Sequence, residues 1–276
     1  MAALRPLSTG ELLDRTFALY RNYFGLFVGI FAIPHLIVLA YNCLGITFQR
    51  PDPQFSTIML TMVWGLGSII LSMIASGASQ AATVIAVSHV HLDRPATVSD
   101  SFARVRYQIF PVIGISFLVA FAAGVACLAL IVPGVILFIM WSLAIPVKIL
   151  ENRGALDSMS RSSDLTKGSR WRIFVIGFLI ILLTIGVSML LQWPIGIAAG
   201  INVIAARGRQ SLGAGWQVAS LVATFVSQCL VGPLATIALS LVYYDQRVRK
   251  EAFDLQLMMT TLDAPVTPGS PAQVGA

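Results

Sequence analysis

Long apolar stretches, each closed by a short charged segment, set the pattern of this chain. They lie near Phe24–Phe48, Phe55–Val90, Ile109–Ile131, Val135–Leu150, Trp171–Trp193 and Trp216–Tyr244. An α-helix needs ~20 predominantly apolar residues to cross the hydrocarbon of a bilayer. The pattern therefore predicts an all-α, polytopic membrane protein with about six transmembrane helices, in one membrane domain over residues 1–258. The second stretch is too long for one crossing and too short for two, since its helix would extend ~54 Å against a core of ~30 Å. Its C-terminal part is expected to project beyond the membrane, ending near His89 and His91. The fourth stretch is the shortest, and only Val132-Pro133-Gly134 separates it from the third. Two full crossings or a shallow hairpin both fit there.

Composition agrees with this class. Of 276 residues, 57% are hydrophobic and 11% are charged, with a mean hydropathy of +0.84. A soluble domain carries roughly 25% charged residues because its surface faces water. Cys43, Cys127 and Cys229 lie inside apolar stretches without metal-binding or redox spacing and read as apolar filler. The first apolar run is too long for a cleaved signal and reads as an uncleaved span.

Charge then orients the spans. Arg5, Arg15, Arg21, Arg94, Arg104, Arg106, Lys148, Arg153, Arg161, Lys167, Arg170, Arg172, Arg247, Arg249 and Lys250 fall on one side of the predicted crossings, fifteen in all. Only three, Arg50, Arg207 and Arg209, fall on the other. The positive-inside rule places the richer side, with both termini, in the cytoplasm. Trp171 and Trp193, and Trp216 with Tyr243 and Tyr244, read as interfacial anchors of spans five and six. The net charge of +6 is explained by this topology and by anionic lipid, without nucleic acid. The tail from 259 to 276 is rich in Pro, Gly and small residues and is expected to be disordered.

Three stretches share a design: an acidic residue, then basic and aromatic residues, then a span with an early glycine. They run from Asp14 to Gly29, Asp100 to Gly114 and Asp164 to Gly177, with spacings of 15, 14 and 13. This predicts three units, each an amphipathic interfacial helix followed by a transmembrane hairpin. The helices are expected over Glu11–Tyr23, Asp100–Gln108 and Leu156–Lys167, with basic residues toward anionic headgroups.

Leu7–Arg21 (LSTGELLDRTFALYR), Val132–Glu151, Ala155–Arg172 and Leu241–Leu255 (LVYYDQRVRKEAFDL) together resemble a known family. It is the membrane domain fused to some glycerophosphoryl diester phosphodiesterases and more often standing alone in bacterial proteins. The resemblance implies a six-span helical fold in a bacterial inner membrane. Phosphodiesterase chemistry is not carried over, because it belongs to a separate soluble barrel of about 250 residues. This chain has no room for that barrel and only His35, His89 and His91.

Candidate chemistry is sparse. His89 and His91 are two apart on a helix and point in different directions, which argues against a shared metal. His35 follows Pro34 mid-span. A buried ionisable group there is a functional candidate, with a neutral imidazole bonded across a helix interface as the plainer reading. Ser68, Ser72, Ser76 and Gln80 recur every four residues, forming a ridge interleaved with small residues. Close helix packing is the preferred reading and the polar lining of a lipid or solute groove the alternative. Asp14, Arg15, Glu151, Arg161, Asp245, Arg247, Arg249 and Glu251 form a candidate polar cluster at the cytoplasmic face, either pairing between helices or meeting lipid headgroups. At least one ion pair is expected to link the C-terminal segment to the N-terminal helix or to the exit of span four.

No catalytic, cofactor-binding or metal-binding residue is identified, and no cofactor is implied. The sequence is read as a non-enzymatic membrane protein with an accessory, scaffolding or envelope-maintenance role. Its expected partners are membrane lipids, with a protein partner or a second copy as further candidates. A transporter or lipid-handling protein with a groove between hairpins is the alternative.

Overall fold

The computed structural model describes residues 7–48, 55–91, 94–205 and 213–251. Every regular element among them is an α-helix: α1 (Thr9–Asn22), α2 (Phe24–Phe48), α3 (Phe55–His91), α4 (Val98–Val105), α5 (Ile109–Ala129), α6 (Ile131–Met140), α7 (Ala144–Glu151), α8 (Ala155–Thr166), α9 (Arg170–Ala205) and α10 (Ala214–Glu251). Among the described residues, six stretches are long and apolar enough to cross a membrane: α2, α3, α5, α6 with α7, α9 and α10. The chain is thus an all-α, multi-pass membrane protein. Its order repeats three times, as a short helix followed by two long apolar arms.

The short helices begin where local chemistry allows. Ser8 caps α1 by accepting from the Glu11 amide, while the Glu11 carboxylate accepts from the Ser8 amide. This reciprocal pair satisfies two amides that have no partner within the helix. Thr97 caps α4 by accepting from the Asp100 amide, and its hydroxyl donates to the Asp100 carboxylate at 2.6 Å. The α8 segment follows a turn at Asn152, whose φ of 49° is left-handed and favours Asn among non-glycine residues.

α10 is the most buried of the spans, with α2, α3 and α9 packed around it. Leu12, Phe27, Ile30, Val84, Leu143, Ile176, Ile237 and Leu241 form the continuous core. On α3 no residue before Ala75 is buried, whereas most positions from Ala75 to Val90 are. Ala78, Ala81 and Ala82 let the neighbouring helices approach closely. Outward-facing Ile70, Phe121, Leu182 and Leu190 remain exposed in large apolar patches, a surface that hydrocarbon covers and water would not tolerate.

Proline interrupts α2, and a neighbouring helix makes good the loss. Pro34 lacks the N–H that would bond the Ile30 carbonyl. The Ser79 hydroxyl of α3 donates to that carbonyl instead, at 3.3 Å. On the other side, the Phe31 ring lies where a Cβ at Gly232 of α10 would sit, so glycine allows this close approach.

The hairpin of α5, α6 and α7 differs from the sequence reading. The turn falls at Leu130 rather than at Val132-Pro133-Gly134. Pro133 sits in the first turn of α6, where its missing N–H has no partner to lose. Gly134 packs on Cys127 of α5, where a Cβ would come within 2.7 Å of the backbone nitrogen. The outgoing arm has 21 residues, and the return from Ile131 to Glu151 also has 21. Each extends ~31 Å, which is the length of a full crossing rather than of a shallow hairpin.

That return arm breaks at residues 141–143, and α8 bridges the break. The Ser162 hydroxyl donates to the Met140 carbonyl at 2.8 Å and accepts from the Leu143 amide at 3.1 Å. Thr166 adds a weaker bond to Met140, at 3.4 Å. The buried face of α8 is accordingly Ser158, Met159, Ser162, Leu165 and Thr166, turned into the bundle. The Pro194–Ala206 segment, which the sequence leaves as either an extension of span five or an outer-surface helix, continues α9 unbroken to Ala205. One correction concerns the anchors: Tyr243 and Tyr244 are buried core residues. Tyr243 reaches Glu151, and Tyr244 stacks with His91 at 5.0 Å. The tail from 259 to 276 and Arg5, Arg50, Arg207 and Arg209 lie outside the described residues.

Candidate functional site

Every Lys and Arg among the described residues lies at the end of the bundle where α1, α4 and α8 meet the ends of α3, α7 and α10 and the start of α9. Asp245 is the centre of this end. Its carboxylate is fully buried. Oδ2 accepts from Arg172 Nη1 at 2.5 Å and from Arg249 Nε at 2.9 Å, and Oδ1 accepts from the Leu7 amide at 2.8 Å. Both guanidinium groups also donate to the Leu7 carbonyl, at 2.7 and 2.6 Å. The peptide before the α1 cap is therefore gripped at its N–H and its C=O. A buried carboxylate is tolerable only with such saturation by cations and donors.

A second group surrounds Glu151. Arg153 Nε lies 2.7 Å and Arg161 Nε 3.5 Å from its Oε2. Tyr243 donates to its Oε1 at 3.1 Å, and Arg247 donates to the Tyr243 hydroxyl at 3.2 Å. Lys250 closes the same face. It donates to the Asp164 carbonyl and, at 2.7 Å, to the Lys167 carbonyl, placing a cation at the C-terminus of α8 where the helix dipole favours one. Tyr20 of α1 donates to the Leu230 carbonyl at 2.8 Å. Burial, with a smaller contribution from Cys229, pushes its phenol up to about 12, so it stays a neutral donor.

The sequence-predicted cluster is thus divided. Glu151, Arg161 and Arg247 belong to one group and Asp245 and Arg249 to the other. Asp14 and Arg15 join neither, and the Glu251 side chain lies outside the described residues. Among the described residues an ion pair joins the C-terminal segment to Arg172, at the start of α9, and the Leu7 backbone links it to the N-terminal segment. Arg172 stands in the RWR triplet at the start of span five, which contributes to the topology, the repeat and the family resemblance, but nothing in the triplet marks Asp245 as its partner.

The intramembrane positions separate as well. His35 is buried, stacks on Phe31 at 5.7 Å, and donates through Nδ1 to the Phe31 carbonyl at 2.9 Å. It is bonded along its own helix, not across an interface as expected. The ridge of Ser68, Ser72, Ser76 and Gln80 takes part in helix contacts: Ser68 donates to Asn42 Oδ1 of α2 at 2.8 Å, and the interleaved Gly77 packs on Ile113 of α5. The same four residues also line a cavity of about 1040 Å³. α3, the α5–α6–α7 hairpin and α9 form its walls, and Ala235 and Leu239 of α10 its floor. Ser116 and Ser142 add hydroxyls, and Ser116 Oγ has no partner among the described residues. The rest of the lining is apolar and no charged side chain belongs to it. Such a surface holds hydrocarbon by burial and offers a few hydroxyls to ester or alcohol oxygens. Among the described residues no three His, Cys, Asp or Glu side chains are grouped to hold a metal.

No protein-family model, curated protein or solved structure matches this chain.

Proposed function

We propose that this chain is a non-enzymatic lipid-handling membrane protein that takes the acyl chains of a membrane lipid into the groove between α3, the α5–α6–α7 hairpin and α9. The observation that carries the reading is the row of Ser68, Ser72, Ser76 and Gln80 along an otherwise apolar cavity of about 1040 Å³. Close packing accounts for the Ser68 hydroxyl, which bonds Asn42 of α2, but Ser72, Ser76 and Gln80 line open space between helices. In a bilayer, the solvent for such a space is lipid. A scaffolding role through the charged face is less well supported. Glu151 and Asp245 there are occupied by partners within the chain, so those carboxylates serve the fold.

The test is lipid retention. The full chain is extracted in a mild detergent, exhaustively exchanged, and its bound lipid identified by native mass spectrometry. The wild type should retain a diacyl lipid. Ala120→Phe with Gly124→Phe, both on the groove wall, should lose it while keeping the wild-type helicity. Equal retention by a folded variant would sink the groove reading.

We further propose a bacterial inner membrane with both termini in the cytoplasm. The fifteen-to-three distribution of Lys and Arg supports the orientation, and the bacterial inner membrane is what the family resemblance implies. In a chain freed of its native cysteines, Cys substitutions at Arg50 and Arg209 should react with an impermeant reagent from outside. One at Arg161 should not, and its labelling in intact cells would reverse the orientation.

A further inference from the structure

We propose that Arg170 makes the mouth of the groove, at the Asp245 end of the bundle, a site for the phosphate of an anionic diacyl lipid. This site rests on the groove reading and names the headgroup of its ligand. The RWR triplet that opens α9 sends its three side chains in different directions. Arg172 meets Asp245, Trp171 is exposed, and Arg170 stands in line with the groove. Successive residues of a helix turn by about 100°, so positions three, four and seven apart share a face. Ile173, Phe174 and Gly177 line the groove at those distances from Arg170. Ile173 and Ile180 fall to one side of it, Phe174 and Phe178 to the other, and all four are lining residues. Arg170 therefore lies on the middle of the groove-facing stripe, one turn beyond the last lining residue.

Its surroundings hold it there. The Ile173 amide donates to the Ser169 carbonyl at 3.1 Å, so the helix is already formed at Arg170. The turn before it is fixed by the Ser169 amide, which donates to the Thr166 carbonyl at 3.0 Å, and by Gly168, whose φ of 85° favours glycine. Thr166 in turn reaches the Met140 carbonyl. The start of α9 thus lies beside the break at 141–143, where Trp141 and Ser142 form the opposite lip of the groove. A group fixed before the ligand arrives lowers the ordering cost of binding.

The charge on Arg170 selects the ligand class. Its Nε is buried without an acceptor, and its side chain makes no hydrogen bond or ion pair among the described residues. The cations around it are occupied: Arg172 and Arg249 by Asp245, Arg153 and Arg161 by Glu151, and Lys148 and Lys250 by backbone carbonyls. A buried donor left without a partner is costly, more so on a charged group. Guanidinium presents paired N–H donors that match two phosphate oxygens. A lipid with its chains in the groove brings its phosphate to the mouth, where Arg170 is. Farther in, Ser116 Oγ also lacks a partner and is open to an ester oxygen. A diacylglycerol would fill the same groove and leave the guanidinium without a counter-charge.

The test uses the full chain in phosphatidylcholine nanodiscs doped equally with phosphatidylglycerol and diacylglycerol of the same chains. Lipid kept after extraction is counted by native mass spectrometry. Phosphatidylglycerol should be retained about tenfold better than diacylglycerol, a ratio that one charge-assisted hydrogen bond supplies. Arg170→Gln should abolish the preference while still retaining diacylglycerol. Its thermal midpoint in lipid-free detergent should match the wild type, because the side chain has no protein partner to lose. Arg104→Gln, the same change at an exposed arginine of the same end, should keep the preference. Soluble glycerol phosphate should not displace the lipid. Equal retention of the two lipids would overturn the proposal, as would a preference unchanged in Arg170→Gln or lost equally in Arg104→Gln. A lowered lipid-free midpoint for Arg170→Gln would reveal a protein partner and overturn it too, and displacement by glycerol phosphate would make the ligand a free phosphate ester instead. Ala120→Phe with Gly124→Phe separates the two readings. If that variant loses both lipids but Arg170→Gln changes nothing, only the headgroup site falls. If it keeps both lipids, the groove reading falls and this site with it.

Discussion

At one end of the bundle, a buried carboxylate, two guanidinium groups and the Leu7 peptide fasten the N-terminal segment to α9 and α10. At the other end, α2, α3, α9 and α10 part around a chamber lined by amides and indoles. Lipid tails are as apolar as the helices, so the hydrophobic effect does little to hold spans together; close packing and hydrogen bonds do that work. Among the described residues the charge-assisted bonds are gathered at one end. The larger cavity runs along the helices from beside Ile173 and Leu239, near that end, to Ser68, while the chamber lies at the other end. Charge-assisted adhesion is thus confined to one end, and open space between helices is not.

The largest expected effect is at the fastened end. Asp245→Ala leaves two cations and a peptide group without their acceptor and should cost ~3–5 kcal/mol, read as a lowered thermal midpoint in detergent. Asp263→Ala in the tail should leave the midpoint where it is, and equal midpoints for the two would mean the cluster is only a solvated anchor. Next comes the break in span four. Ser162→Ala exposes the Leu143 amide and weakens satisfaction of Met140, so a loss of ~1–3 kcal/mol is expected. Thr166→Ala, which removes the longer bond, should cost less. Gln246 sharpens the comparison in the opposite direction. It is buried beside Asp245, and neither amide atom has a partner among the described residues. Gln246→Met should therefore raise the midpoint, by ~1 kcal/mol or more. A lowered midpoint would reveal a partner beyond the described residues. The smallest effect belongs to the open end, where Gln192→Leu should change stability by no more than ~0.5 kcal/mol. A larger loss would mean that the chamber residues hold the helices together, and the contrast between the ends would fail.

The short helices and the groove were not equally legible. α1, α4 and α8 carry both polar and apolar positions, so their placement within a few residues followed from pattern and from caps such as Ser8 with Glu11. The spans carry no such marking. A helix with lipid on one side and protein on the other is apolar all round, so its inward face leaves little trace in the sequence. The serine ridge on α3 was visible as a period of four, but the same spacing fits a tight contact or an open wall. Ser79, one position before Gln80, goes into the contact with α2, while Ser76 and Gln80 line the cavity. Nothing in the spacing separates these outcomes.

The class of the protein, the number of apolar spans, the three short helices and the clustering of cations follow from the sequence alone. Each depends on the total apolar length or on charge, which solvent reads directly. The partners follow only from the tertiary structure. Arg172 meets Asp245 across 73 positions, Ser162 mends a break 22 positions earlier, and the Pro34 gap is filled from 49 positions away. These are hydrogen bonds between single polar groups in an apolar surrounding. Any of several serines or arginines satisfies them equally well on paper, and only the packing of the helices decides which one is within three ångströms, as hydrogen-bond geometry requires.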